Sequence, residues 1–227
     1  MLTLSYQFIM YGRAAAGCTE WNREKVLEVL NPDYSQAIAY SLNRLERELS
    51  AKLTYHNLWH TEEDVMVSCV QIAQLTGVGE EEIRLLEVAA AFHDIGFTEM
   101  ITNHEIVSTR IAAQVLPGFG FSSREIEKIL GMIIATRLPQ SPRNLLEEIL
   151  ADADLDVLGR KDFFPRSEAL RQESANFGRE IGQKEWHEGQ LALLKSHEYF
   201  TPAARTLRNG MKESHIASLE ETLRRMK

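Results

Sequence analysis

The chain is poor in several things on which other folds depend. Only 2 cysteines, Cys18 and Cys69, occur among 227 residues, too few for a disulfide framework or a cysteine-based metal site. Cys69 sits in the apolar stretch from Val65 to Ile72, where a thiol behaves as a small hydrophobe, so a reducing, cytoplasmic setting is expected. Proline is scarce, with 6 in the whole chain, and the 13 glycines fall in short clusters. Both favour long helices over many turns. No apolar run approaches the length of a membrane span. The mildly apolar start, Met1 to Ala16, is interrupted by Tyr11-Gly12-Arg13, so neither a signal peptide nor a membrane partner is expected. Basic charge is also in deficit: 25 Lys and Arg against 33 Asp and Glu leave a net charge of −8. A nucleic-acid surface needs a basic stripe that displaces phosphate counterions, so this balance argues against nucleic acid as partner. It leaves small anions open, because a metal and a few local arginines reverse the field inside one pocket.

What remains is an ordinary globular balance, 44% hydrophobic and 26% charged, in a chain long enough for one substantial core. No Pro/Ser/Gly-rich linker divides it. One domain is expected over residues 21–227, preceded by a tail over residues 1–20. Apolar residues at helical spacing predict a helix after Asn31-Pro32-Asp33 that carries Ile38, Leu42, Leu45 and Leu49. A second is predicted from an N-cap at Thr61 to Gly77, and a third from Glu80 to Gly96. Others are predicted over 105–116, from Ser122 or Ser123 to near Pro139, and over 144–158. Two or three more follow Asp162, with turns at Gly178, Gly189 and Thr201-Pro202. Nothing alternates as a strand does, and the expected fold class is all-α.

Three stretches carry chemistry. Tyr55-His56-Asn57-Leu58-Trp59-His60 places two histidines ahead of a helix, and Phe92-His93-Asp94-Ile95-Gly96 places a His-Asp doublet at the end of an apolar one. Asp152, Asp154 and Asp156 interrupt the apolar run around Leu150 and Leu155. A carboxylate buried without a partner costs several kcal/mol or changes its protonation. Two such acidic sites and a histidine pair in one domain are most economically explained by a shared cation. Imidazole nitrogen with carboxylate oxygen suits a divalent metal such as Mn, Fe, Ni, Co or Zn, and also Mg.

The order H…HD…D resembles the HD superfamily of metal-dependent phosphohydrolases, in particular the branch described as predicted HD phosphohydrolases. The likeness runs from about Tyr55 to Arg160 and includes Tyr-His-Asn, Phe-His-Asp-Ile-Gly and Asn103-His104-Glu105…Ser108. Ile133-x-x-Thr136 and Asp152-Ala153-Asp154-Leu155 also match. The resemblance implies a helical HD-type bundle with a motif core over residues 55–160 and additional helices over 161–227. It also implies a metal held by His60, His93, Asp94 and Asp154, with Asp152 as the alternative last ligand. His56 corresponds to a general acid or phosphate contact in related phosphodiesterases, with a structural hydrogen bond as the competing role.

Thr136-Arg137 stands where two-metal members carry a further histidine, although His104 could supply one, so a single metal ion is expected. Phe97 replaces a common lysine, and no Gly-Tyr-Pro follows, which separates the chain from the cyclic-di-GMP phosphodiesterases. Glu105 or the spare aspartate is the expected base, with Glu99 a weaker candidate. Arg137, His104 and Arg160 are the expected substrate contacts, and Arg110 a further one. The implied function is hydrolysis of a phosphomonoester or phosphodiester of a small metabolite, a nucleotide first among them. The alternatives are a non-catalytic nucleotide-binding regulatory module and a di-iron oxygenase. The C-terminal third, with Trp186, Leu191, Leu194 and Phe200, reads as packing rather than chemistry. Its last helix, Ala203 to Lys227, is amphipathic and offers either a homodimer face or an ordinary packing face.

Overall fold

The structure, a computed structural model, describes residues 31–226; the expected tail over residues 1–20 and Cys18 lie outside the described residues. Among the described residues there are nine α-helices and no strand, as the spacing of apolar residues predicts. They are α1 (Tyr34–Glu48), α2 (Met66–Thr76), α3 (Glu80–Phe92), α4 (His104–Val115), α5 (Ser123–Ala135), α6 (Leu145–Asp154), α7 (Phe163–Asn176), α8 (Gln183–Ser196) and α9 (Pro202–Arg225). None is long and apolar enough to cross a membrane.

The helix starts follow from local chemistry. Asp33 caps α1 by accepting the Gln36 N–H at 3.0 Å. Ser122 and Glu125 close a reciprocal capping box at α5. Glu80, Glu81 and Glu82 fill the first turn of α3, where carboxylates suit the helix dipole. Gly77 ends α2 at a φ of 79°, a left-handed conformation that glycine adopts at no steric cost.

Helix α3 lies at the centre. Every residue from Leu85 to Phe92 except Glu87 is fully buried, so the helix is apolar around most of its circumference and needs neighbours on all sides. α1, α2, α5 and α6 pack around it. The doublet His93-Asp94 therefore emerges from the most buried helix in the bundle. A smaller core of Leu158, Phe163, Leu194 and Leu219 sits beneath the C-terminal helices.

Several expected boundaries shift. Thr61 is not an N-cap: helical backbone begins at Leu58 and passes into a π-type turn over His60–Val65. Asn57 does the capping, taking the His60 N–H on its side chain at 3.1 Å and the Thr61 N–H on its carbonyl at 3.3 Å. α5 ends at Ala135, short of Pro139, and α6 ends at Asp154 in a separate 3-10 turn, Asp156–Gly159. Gly189 lies inside α8 rather than at a turn.

Gly96 is needed for close approach. Its N–H donates to Ser108 Oγ at 2.8 Å, and a Cβ there would run into the His104 backbone carbonyl and stand 2.9 Å from Ser108 N. Both obstacles are backbone, so α4 would have to move. Gly96→Ala should therefore lower stability by roughly 1–3 kcal/mol, the range for overpacking. It should also weaken metal binding, because α4 carries His104. Urea unfolding followed by metal titration checks both.

Candidate metal centre

His93 closes α3, and its Nδ1 lies 2.7 Å from the Ala90 carbonyl. That fixes the ring as an Nδ1–H donor and turns Nε2 toward the interior. His60 enters from the π-type turn, and Asp154 from the last residue of α6. Donor atoms of His60, His93 and Asp154 all lie within 4.8 Å of one another. Asp154 Oδ1 is 3.5 Å from His60 Nε2 and 3.4 Å from His93 Nε2. Asp94 Oδ2 is 3.3 Å from His93 Nε2 and 3.7 Å from His60 Nε2. Ligand bonds of about 2.1 Å put neighbouring donors roughly 3.0–3.5 Å apart in octahedral or tetrahedral geometry, so these separations fit one ion. His60 Nε2, His93 Nε2 and Asp94 Oδ2 are buried and have no hydrogen-bond partner, a costly arrangement unless something sits between them. The donor set, two imidazoles and two carboxylates, suits a divalent metal.

The electrostatics are those of a mutually charged cluster. Burial alone would lower the His93 pKa, but the carboxylates of Asp94 and Asp154 outweigh it and hold it well above its ordinary value. His60 is raised in the same way, against burial, by Asp154 and Asp64. Burial would raise the Asp154 carboxyl, yet contacts from His60 and His93 bring it down to about 2. Asp94 is held far below the carboxylate range, against burial, by His93 and His104.

Around the cluster stands a layer that the sequence reading only partly anticipates. His104 Nε2 is 3.3 Å from Asp94 Oδ1 and 3.6 Å from Glu105 Oε1. Phe97 stacks between His104 and His56, with ring centroids 3.8 Å and 4.7 Å away. His56 Nδ1 is 2.5 Å from Glu173 Oε1, and the other Glu173 oxygen accepts the N–H groups of Tyr55 and His56. Asp64, one turn beyond His60, lies 3.5 Å from its Nδ1. Asp64 is in turn held by Arg160 and, at 2.9 Å, by Arg166. Arg166 also stacks on Tyr55 and Trp59, 4.7 and 4.6 Å from the ring centroids.

Some expectations need correction. Asp152 is turned away from the cluster, where its carboxylate accepts from Phe200 N, Thr201 N and Thr201 Oγ1 at 2.7–2.8 Å. It ties α6 to the start of α9, which removes it both as the alternative ligand and as the spare base. Arg160 is committed to Asp64 and Asp162, so it balances a buried carboxylate instead of meeting substrate. Arg137 is exposed and donates to Asn103 at 3.1 Å. Glu99 and Arg110 pair with each other at the surface, and Glu99 with Arg44 as well. Thr136, which stands where two-metal members carry a further histidine, donates its hydroxyl to the Ile133 carbonyl.

Asp64, Arg166 and Glu173 are the residues missed. Asp64 carried a signal, four residues after His60, but reads equally as a helix-start carboxylate. Arg166 and Glu173 lie seven apart on one face of α7, in a polar helix with no pattern to single them out.

No family model matches the chain, and no curated protein matches it. Among solved structures, the chain is similar to a predicted HD superfamily hydrolase from an uncultured Thermotogales bacterium. The TM-score is 0.56 at 18% identity, over 86% of this chain and 91% of that one. At that identity the likeness establishes the fold: the chain has the all-α HD-domain architecture.

The raised His60 and His93 pKa values give metal-free protein a definite pH dependence. A histidine raised on folding contributes stability that is present below its ordinary 6.5 and lost as pH rises through the folded value. Chelator-treated protein should thus lose stability as pH climbs above about 6.5, whereas metal affinity should increase, because binding displaces those protons. Urea midpoints and calorimetric titration with Mn or Zn at several pH values check the opposed trends. Asp64→Asn should weaken metal binding by roughly 10–100-fold, read in the same titration.

Proposed function

We propose that the chain is a metal-dependent phosphohydrolase of the HD kind, acting on a phosphoester of a small metabolite, with nucleotides the first class to test. The observation that carries this reading is the convergence of His60, His93, Asp94 and Asp154 around one buried point, with ring nitrogens that lack any other partner. The likeness to a predicted HD hydrolase supports it. One divalent ion, Mn, Fe, Ni, Co, Zn or Mg, would lower the pKa of a coordinated water and draw charge from a phosphoryl oxygen.

The chain's own residues supply the rest. Glu173 holds His56 through Nδ1 and leaves Nε2 as the atom that delivers a proton to the leaving oxygen. Burial would raise the Glu173 carboxyl, but the hydrogen bond and charge of His56 outweigh it and lower it, so Glu173 remains an anion beside that ring. Phe97 stacks on both His56 and His104 and fixes the planes of the two rings. Glu105, buried beside His104, would take a proton by way of that ring. Arg137, exposed and joined to α4 through Asn103, is the arginine left to meet a phosphate now that Arg160 is engaged.

Asp94→Ala should abolish metal-dependent release of phosphate in a screen of phosphorylated metabolites; full activity in that variant would show the site is misassigned. Glu173→Gln should lower kcat by roughly 100-fold and leave the metal content unchanged. Loss of metal in that variant would instead make Glu173 part of the scaffold. Nucleotide binding without turnover across several metals would favour the regulatory alternative, and two bound irons with oxygen consumption the oxygenase.

A further inference from the structure

Tyr55 is buried beside the metal cluster, and neither the packing nor the chemistry described above uses its hydroxyl. Its ring centroid lies 4.8 Å from that of His60 and 4.8 Å from that of His56. It thus bridges a residue of the cluster and the residue assigned to protonate the leaving oxygen. The Arg166 guanidinium covers the ring at 4.7 Å, and the Tyr55 backbone N–H donates to Glu173 Oε2 at 2.8 Å. The side chain is therefore held from three directions by groups that themselves orient the site. Packing alone asks for no more than a phenylalanine at this position.

The hydroxyl of a buried tyrosine usually finds a partner. Tyr199, another buried tyrosine, donates its own to the Leu155 and Asp156 carbonyls at 3.3 and 3.4 Å. Among the described residues nothing hydrogen-bonds the Tyr55 hydroxyl; what acts on it is charge, from Asp154 first and then Arg166, Asp64 and Asp94. Unlike His60 Nε2, His93 Nε2 and Asp94 Oδ2, it is not an unpartnered atom sealed from water. The cluster is most open at Asp154, whose side chain is 18% exposed against 1–6% for His60, His93 and Asp94. Asp154 is also the carboxylate that bears most on the phenol, so the two stand on the same, open side. Burial, and then those carboxylates, push the phenol above its ordinary value, and it stays a neutral donor.

We propose that Tyr55 is a substrate contact, its hydroxyl donating to a phosphoryl oxygen of the ester bound at the metal centre. The assignment rests on the phosphohydrolase reading given above. An O–H bond to an anionic oxygen is among the stronger hydrogen bonds, and a donor already fixed by its neighbours needs no reorganisation when the substrate arrives.

Calorimetric titration of inorganic phosphate into the Mn-loaded full chain, as wild type and as Tyr55→Phe, tests this directly. The variant keeps the ring against His56, His60 and Arg166 and removes only the oxygen. Its phosphate affinity should fall by roughly 10–100-fold, the weight of one hydrogen bond to a charged oxygen. Its Mn affinity should equal that of wild type, and after chelation the two proteins should melt together, because no structural bond is lost. On any phosphoester that the wild type hydrolyses, kcat/KM should fall by a similar factor. Equal phosphate affinity in the two proteins would overturn the role of Tyr55 alone and leave the phosphohydrolase reading standing. Weaker Mn binding or a lower Tm in the variant would make the hydroxyl a structural group, which also overturns the assignment. Absence of phosphate binding by Mn-loaded wild type would count against the phosphohydrolase reading itself and remove the assignment with it.

Discussion

The structure turns on one constraint: charged groups stand at the end of its most buried helix. α3 is enclosed from Leu85 onward, and it delivers His93 and Asp94 into an interior that solvent barely reaches. Ionised side chains there must pair, hydrogen-bond or bind metal. His60 and Asp154 answer that requirement from two other elements, and His60 Nε2, His93 Nε2 and Asp94 Oδ2, each without a hydrogen-bond partner, lie within 3.7 Å of a carboxylate or imidazole of the cluster. The bundle thus converts a local electrostatic problem into a geometry that could hold a metal ion. It also explains why three separate elements must be held in register to within the length of a coordinate bond.

The support for that geometry comes from further out than the motif itself. α7 buries only Phe163 and Glu173 along its length, so apolar packing does little to fix it. It is fastened to the Lys52–Tyr55 segment through Thr54 to the Ala169 carbonyl and Asn176 to the Lys52 carbonyl, at 2.8 and 2.9 Å. Arg166 and Glu173 then reach Asp64 and His56 from one face. A polar helix with a thin core is justified by what its two charges orient. Partners that fix a ligand's tautomer and ring plane matter nearly as much as the ligands.

Much of this was legible in the chain. The scarcity of proline, the capping residues at Asp33 and Ser122, and the 3.6-residue periodicity lead to an all-α bundle. The His-Asp doublet on an apolar helix leads to a metal centre. The resemblance put Asp154 ahead of Asp152, and the structure sets the two apart physically: Asp152 holds the turn into α9, while Asp154 faces the two histidines. What stayed hidden depends on distance in space rather than in sequence. Glu173 is 117 residues from His56, and Arg166 is 102 from Asp64; neither pair leaves a periodic trace. Thr61 failed as a cap because Asn57, four residues earlier, had already taken the backbone donors.

The most direct test is crystallographic. Anomalous diffraction from protein grown with Mn should show one strong peak, about 2.0–2.3 Å from His60 Nε2, His93 Nε2, Asp94 and Asp154, with Asp152 still bonded to Thr201. No peak at that point, or a metal held by Asp152 in place of Asp154, would contradict the account.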